Sequence, residues 1–320
     1  MRRLRLNVGS LLLQVSFDRS LYPETIAEIF CNVAAPAPAN GAAPEAEIVF
    51  VEQSQSEANP PPMAVPSDGM LIVDTPSAKQ IHTEALTAEA FLREPMPRFL
   101  VTVRRPFLPE YDLKVHVTVV VFKLLFFLGR LALHAAGVRF QGRVHIFLGG
   151  KGAGKTTASV RLARSGGTVL GEDRLILRRS NGDFLVSGSG ETFRVTEKTE
   201  RHFFPVPLAA EPREVGGILK KEVRLAAHFS AAPHADFPVW RMFFNHVGER
   251  FTITPLSKHQ ALIEVIRETK ASHRFAGADD YRAYLGFLRE LVEVVPAYRL
   301  QLSSDLHDLE RLDGFLSANV

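Results

Sequence analysis

Short strand-like apolar runs alternate with polar and proline-rich gaps over the first third of the chain. "RLNVGSLLLQVSF" and "AEIVFVE" are short runs rich in apolar and branched residues and read as strands, the first as one long strand or a strand pair. "MLIVD" and "RFLVTV" have the same character, and Thr83–Arg93, "TEALTAEAFLR", has the composition of a helix between them. "AAPAPANGAAP" (Ala34–Pro44) and "QSQSEANPPPMAVPSDG" (Gln53–Gly69) carry no apolar period and are expected to be loops. Val115–Leu133, "VHVTVVVFKLLFFLGRLAL", predicts a helix buried on most faces.

From residue 134 the alternation sharpens. "RVHIFLG" predicts a strand, "GKTTASVRLARSG" a helix closed by Gly166-Gly167, and "TVLGEDRLILRR" a further strand. "SNGD" is an Asn-Gly turn and "FLVSG" returns from it, so an antiparallel hairpin is expected directly after the acidic pair Glu172-Asp173. "VWRMFFNHVG" and "RFTITPL" read as strands, and "SKHQALIEVIRET" as a helix capped by Ser257. "DDYRAYLGFLRELVEVV" gives another helix, "AYRLQLS" a last strand and "SDLHDLERLDGFLS" a last helix. A soft boundary is expected near Pro109, with an N-terminal α+β region over 1–109 and a second domain over 110–320.

Composition narrows the class. The 320 residues are 46% hydrophobic and 23% charged, with a formal net charge of only +3. The basic residues are scattered as pairs (Arg2-Arg3, Arg104-Arg105, Arg178-Arg179, Lys220-Lys221) rather than gathered on one face, which argues against nucleic acid as partner. A single cysteine, Cys31, excludes an internal disulfide framework and fits a reducing compartment. The basic, apolar N-terminus is broken by Asn7, Gly9, Ser10 and Gln14, which does not suit a signal peptide. His116, Lys123 and Arg130 make the stretch 115–133 costly as a membrane span, so a cytoplasmic protein is expected.

The chemistry is concentrated in one stretch. Gly149-Gly150-Lys151-Gly152-Ala153-Gly154-Lys155-Thr156 matches the phosphate-loop pattern in full, between a strand and a helix. Glycines let successive backbone N–H groups converge on phosphate oxygens, and the helix N-terminus adds positive potential. Lys155 is expected to reach the terminal phosphates of ATP, the Thr156 hydroxyl to ligate Mg²⁺, and Thr157 to touch a phosphate or cap the helix. Glu172 and Asp173 end an apolar run. On an extended chain they would face opposite ways, one (Asp173) toward the metal and the other toward an acceptor. Lys198, Arg241 and Arg250 are candidates for reaching a triphosphate from outside the loop.

The segment "LHAAGVRFQGRVHIFLGGKGAGKTTASVRLARSGGTVLGEDRLIL", about Leu131 to Leu177, resembles the catalytic core of the HPr serine kinase/phosphorylase family and its HprK-like relatives, within the phosphoenolpyruvate carboxykinase-like P-loop fold. The resemblance implies an α/β fold with a mixed sheet, here under a small N-terminal α+β layer, and an ATP- and Mg²⁺-dependent kinase. Its γ-phosphoryl group would pass to a hydroxyl on a protein or peptide serine or on a small metabolite. In the family an Asp-Asp pair holds the acidic site, one member at the metal and one as base, with the upstream histidine nearby. Carried over, Glu172 and Asp173 take the acid positions and His134 orients them. Family members often assemble into homo-oligomers. Glu172 stands where the family has a first Asp, Lys155-Thr156 where it has Lys-Ser, and "VSGSGETFRV" is only a faint echo of its glycine-rich signature, so HPr itself is not the expected substrate. The reading from another class is a nucleotide-gated binding module, or weak ATPase, that regulates a protein partner.

Overall fold

A computed structural model describes residues 2–8, 11–17, 35–36, 43–52, 70–83, 86–103, 110–188, 192–214, 217–232, 234–269 and 278–318. Cys31, the arginines 104 and 105, the boundary at Pro109, the loop 53–69 and most of the loop 34–44 lie outside them. The chain is mixed α/β and divides into two compact units, Met1–Ala132 with Lys270–Gly286, and Leu133–Thr269 with Phe287–Val320.

The first unit is built on a sheet of β1 (Arg2–Val8), β2 (Leu11–Phe17), β3 (Ala35–Pro36), β4 (Ala46–Glu52), β5 (Met70–Asp74), β6 (Lys79–Thr83), β7 (Leu86–Phe91) and β8 (Arg98–Val103), in the order β3-β1-β2-β4-β8-β7-β6-β5. The N-terminus is therefore a strand pair, antiparallel with Arg2 opposite Phe17. The helix expected over Thr83–Arg93 is not formed. Its Ala, Leu and Glu favour a helix one by one, yet Leu86, Ala88 and Ala90 are buried while Thr87 and Glu89 between them are not, and that period of two selects β7. The apolar helix covers Glu110–Phe127. It stops where Gly129 turns to φ +74, so the final "RLAL" of the expected helix is instead the strand β9 (Arg130–Leu133). No helix among the described residues is long and apolar enough to cross a membrane.

The second unit carries β10 (Ala135–Phe140), β11 (Arg143–Leu148), β12 (Thr168–Gly171), β13 (Leu175–Ser180), β14 (Asp183–Gly188), the short strands β15 (Thr192–Thr196), β16 (Pro212–Glu214) and β17 (Leu219–Arg224), and then β18 (Phe237–Val247), β19 (Thr252–Pro255) and β20 (Ala297–Leu302). Its main sheet runs β12-β10-β11-β18-β14-β13, with β20 beside β18 and β19 beside β20. The sheet is mixed: β11, β18 and β20 are parallel neighbours, whereas β10 pairs β11, and β14 pairs β13, antiparallel. The hairpin after the acidic pair forms as expected, with Ser180 opposite Asp183 and both turn residues, Asn181 and Gly182, at positive φ.

The helix Lys155–Arg164 lies on this sheet because its residues 155, 158, 159, 162 and 163 share one face, and all five are buried. Ala158 and Leu162 join Phe147, Phe243 and Leu300 in one apolar cluster. Gly166 and Gly167 close it with N–H bonds to the carbonyls of Ala163 and Leu162, a Schellman pair. "TVLGEDRLILRR" is two strands rather than one. The chain bends between β12 and β13, with Asp173 at φ +67, a left-handed conformation uncommon for a non-glycine residue. Glu172 and Asp173 therefore do not sit on opposite faces of an extended chain.

Gly188 secures that bend. A Cβ there would meet the carbonyl oxygen of Leu170 at 1.8 Å, so only glycine lets β14 approach the chain just ahead of the acids. Replacing it with alanine should lower unfolding stability by about 3 kcal/mol, read from urea denaturation; an unchanged midpoint would contradict the close approach.

Candidate active site

The phosphate-loop motif lies beyond the carboxyl ends of the parallel strands β11, β18 and β20, where open α/β sheets place ligands. Gly149 (φ +143), Gly152 (φ +78) and Gly154 (φ +85) give the loop its winding. Gly149 is also fixed by space: a Cβ would come within 2.5 Å of the Asn245 carbonyl oxygen on β18. The loop feeds directly into the helix at Lys155, which turns the helix's free N–H groups toward the space the loop encloses.

Lys155 is buried, and its ammonium donates to the carbonyls of Gly149 at 2.6 Å and Gly150 at 3.2 Å. Burial lowers its pKa from 10.5, while Asp173, Glu268 and Glu172 pull it back up. On the far side of the loop, Glu268 forms a hydrogen bond with the backbone of Gly149, and burial raises its pKa.

The two acids have separate surroundings. Glu172 is only 6% exposed. One of its oxygens accepts the Thr156 hydroxyl and the other the main-chain N–H of Arg194, at 2.5 Å. Burial first, and then the charge of Asp173, push its pKa up to about 7. Asp173 is a third exposed and faces the cavity, with the Arg194 guanidinium 3.3 Å from its carboxylate. His134 Nδ1 lies 3.1 Å from the main-chain oxygen of Asp173 and 3.9 Å from its carboxylate. A carbonyl can only accept, so Nδ1 carries the hydrogen in that bond and Nε2 is left as an acceptor. Burial and the charge of Lys155 hold the His134 pKa below 6.5.

Lys155, Thr156, Asp173, His134 and Arg194 border a cavity of about 470 Å³. His134, residues 151–157 and Asp173 all line it; Glu172 does not, and is joined to it only through its contact with Thr156. Gly149 and Gly150 lie at the base of the loop, and Gly150 lines the neighbouring recess instead. Thr157 is within 3.1 Å of the Thr199 hydroxyl. Of the three outlying cations, Lys198 lines the cavity, donating to the Ser304 carbonyl at 2.6 Å. Arg241 is buried among Trp240, Tyr298 and Phe315, and Arg250 lines neither space. Arg194 and Lys220 also line the cavity, and sequence reasoning missed both. They come from β15 and β17: "TFRVT" alternates over only five residues, "LKKEVR" lacks a regular period, and neither carries a motif.

The donor set tests which cation would fit. Among the described residues, no three His, Cys, Asp or Glu side chains are grouped to hold a metal ion by themselves. The adjacent Thr156 hydroxyl and Glu172 carboxylate are hard oxygen donors of the kind Mg²⁺ takes when phosphates complete its shell.

No family model matches the chain, and no curated protein matches it. Among solved structures it is similar to the Hpr(Ser) kinase/phosphatase from Coxiella burnetii, with a TM-score of 0.31 and 11% identity over 59% of this chain and 94% of that one.

A carboxyl whose folded pKa lies near 7, against an ordinary 4.5, binds its proton more tightly folded than unfolded. Its contribution is therefore fully present below about pH 4.5, is lost as pH rises to about 7, and stays constant above. Glu172→Gln should abolish that loss, so urea midpoints at pH 5 and pH 8 should lie closer together in the variant than in the wild type. Equal pH dependence in the two proteins would contradict the raised pKa of Glu172.

Proposed function

We propose that the second unit is an HprK-like P-loop kinase that uses ATP and Mg²⁺ to phosphorylate a hydroxyl. The observation that carries the reading is the contact of Thr156 with Glu172 at the foot of the glycine loop, beside a cavity where Asp173 stands apart from that pair. A glycine loop alone would hold a polyphosphate. The additional buried carboxylate on the loop's own threonine suits a divalent ion, and the second acid leaves a group for the acceptor.

In this reading the loop amides and Lys155 hold the phosphates, with the lysine moving from the Gly149 and Gly150 carbonyls to phosphate oxygens. Thr156 and Glu172 hold the metal, which would neutralise charge on the transferring group. The sequence alone favoured Asp173 for that place; the contact with Thr156 favours Glu172. Asp173 accepts the acceptor hydroxyl's proton as the acceptor oxygen bonds to the γ-phosphorus and the bond to the β–γ bridging oxygen breaks. His134 holds the main chain of Asp173 in its bend. The positive φ that aims the carboxylate into the cavity is the kind of backbone strain that functional sites store.

Transfer of label from γ-labelled ATP to serine peptides and hydroxylated metabolites tests this. Lys155→Ala should lower turnover by about a thousandfold, and Asp173→Asn by about a hundredfold with nucleotide affinity retained. If ATP binds but label reaches nothing except water at a negligible rate, the kinase reading fails and a nucleotide-gated module takes its place.

A further inference from the structure

β15 and β17 form an antiparallel pair with Arg194 opposite Glu222 and Thr196 opposite Lys220. Residues directly opposite share a face, as do residues two apart along a strand, so these four side chains form one surface. The other surface is apolar, with Phe193 and Val195 buried in the core and Val223 packed against it. The polar face supplies Arg194, Thr196 and Lys220 to the cavity that holds Asp173 and His134.

The dipeptide Lys220-Lys221 separates two roles. Lys221 is on the opposite side, held by the Glu200 carboxylate at 2.8 Å and the Leu208 carbonyl at 3.1 Å. The Lys220 ammonium, among the described residues, makes no hydrogen bond or ion pair, although its charge acts on His134, Lys155 and Glu172. Across the strand on its other side stands Arg213 of β16, another cation. Arg213 lies outside the cavity and its charge acts on Glu222, which leaves Lys220 as the cation of this face with no anion of its own in the cavity. The loop and its helix supply the phosphate grip from one wall of the cavity, and this small sheet faces it beside the acid that the kinase reading gives to the acceptor.

We propose that this face is the acceptor's anchoring site, and that the phosphorylated substrate is a small hydroxyl compound bearing an anionic group, phosphate or carboxylate, which Lys220 binds. The inference rests on the kinase reading. Lys220 holds the acceptor's anion with its hydroxyl at Asp173, and Arg194 keeps that carboxylate in place until the acceptor arrives. An uncharged serine peptide lacks the group this face would select.

The test is a pair of titrations on the full chain. In the first, the imido analogue of ATP is added with magnesium to the wild type and to Lys220→Gln. In the second, inorganic phosphate, and separately acetate, is added to each protein saturated with that analogue, so that the loop is already filled. The expected result is analogue affinity changed by less than about twofold, with phosphate or acetate binding to the loaded wild type and weakened at least about tenfold in the variant. Which anion binds more tightly distinguishes a phosphorylated from a carboxylated acceptor. Two outcomes overturn the proposal: no anion binding to the loaded protein, or equal binding by the variant. A tenfold loss of analogue affinity in Lys220→Gln also overturns it, since the lysine would then serve the triphosphate. Failure of the wild type to bind the analogue at all sinks the kinase reading instead, and shows in the first titration.

Discussion

The buried carboxylate of Glu172 is the joint on which the site turns. It joins three elements of the second unit: the helix after the glycine loop through Thr156, the bend between β12 and β13 through its own backbone, and the small sheet through the N–H of Arg194. A carboxyl this buried is costly unless it is hydrogen-bonded, and both of its oxygens are. Because one residue meets all three pieces, the loop, the second acid and the cation-bearing strands are held around the same cavity. Arg194 completes the arrangement, since its backbone holds one acid and its guanidinium the other.

That geometry divides the labour between two neighbouring acids by surroundings rather than by chemical type. Glu172 is sealed beside a hydroxyl and a main-chain N–H; Asp173, at a left-handed backbone position, lines the cavity beside Arg194 and Lys220.

Much of the second unit was legible because its signals are local. The glycine loop, its flanking strand and helix, the Schellman closure at Gly166-Gly167 and the Asn-Gly hairpin each depend on a few adjacent residues with particular φ requirements. Three features were not legible, for three different reasons. The stretch "LTAEAF" has helix-forming residues, and its place between two partner strands decided its state. The bend at Asp173 follows a single glycine, Gly171, which reads equally well inside one strand; the close approach of Gly188 to the Leu170 carbonyl comes from β14, beyond the hairpin. Arg194 and Lys220 enter the site through pairing of strands more than twenty residues apart, a relation that no short motif encodes.

The central claim is that the loop, Thr156 and Glu172 together grip a polyphosphate with its divalent ion, and calorimetric titration with ATP tests it most directly when run with magnesium and again with chelator. Binding should be at least about tenfold tighter with magnesium in the wild type, and that advantage should shrink in Thr156→Ala. Affinity for ATP that is absent, or that ignores both magnesium and the loss of the threonine hydroxyl, would contradict it.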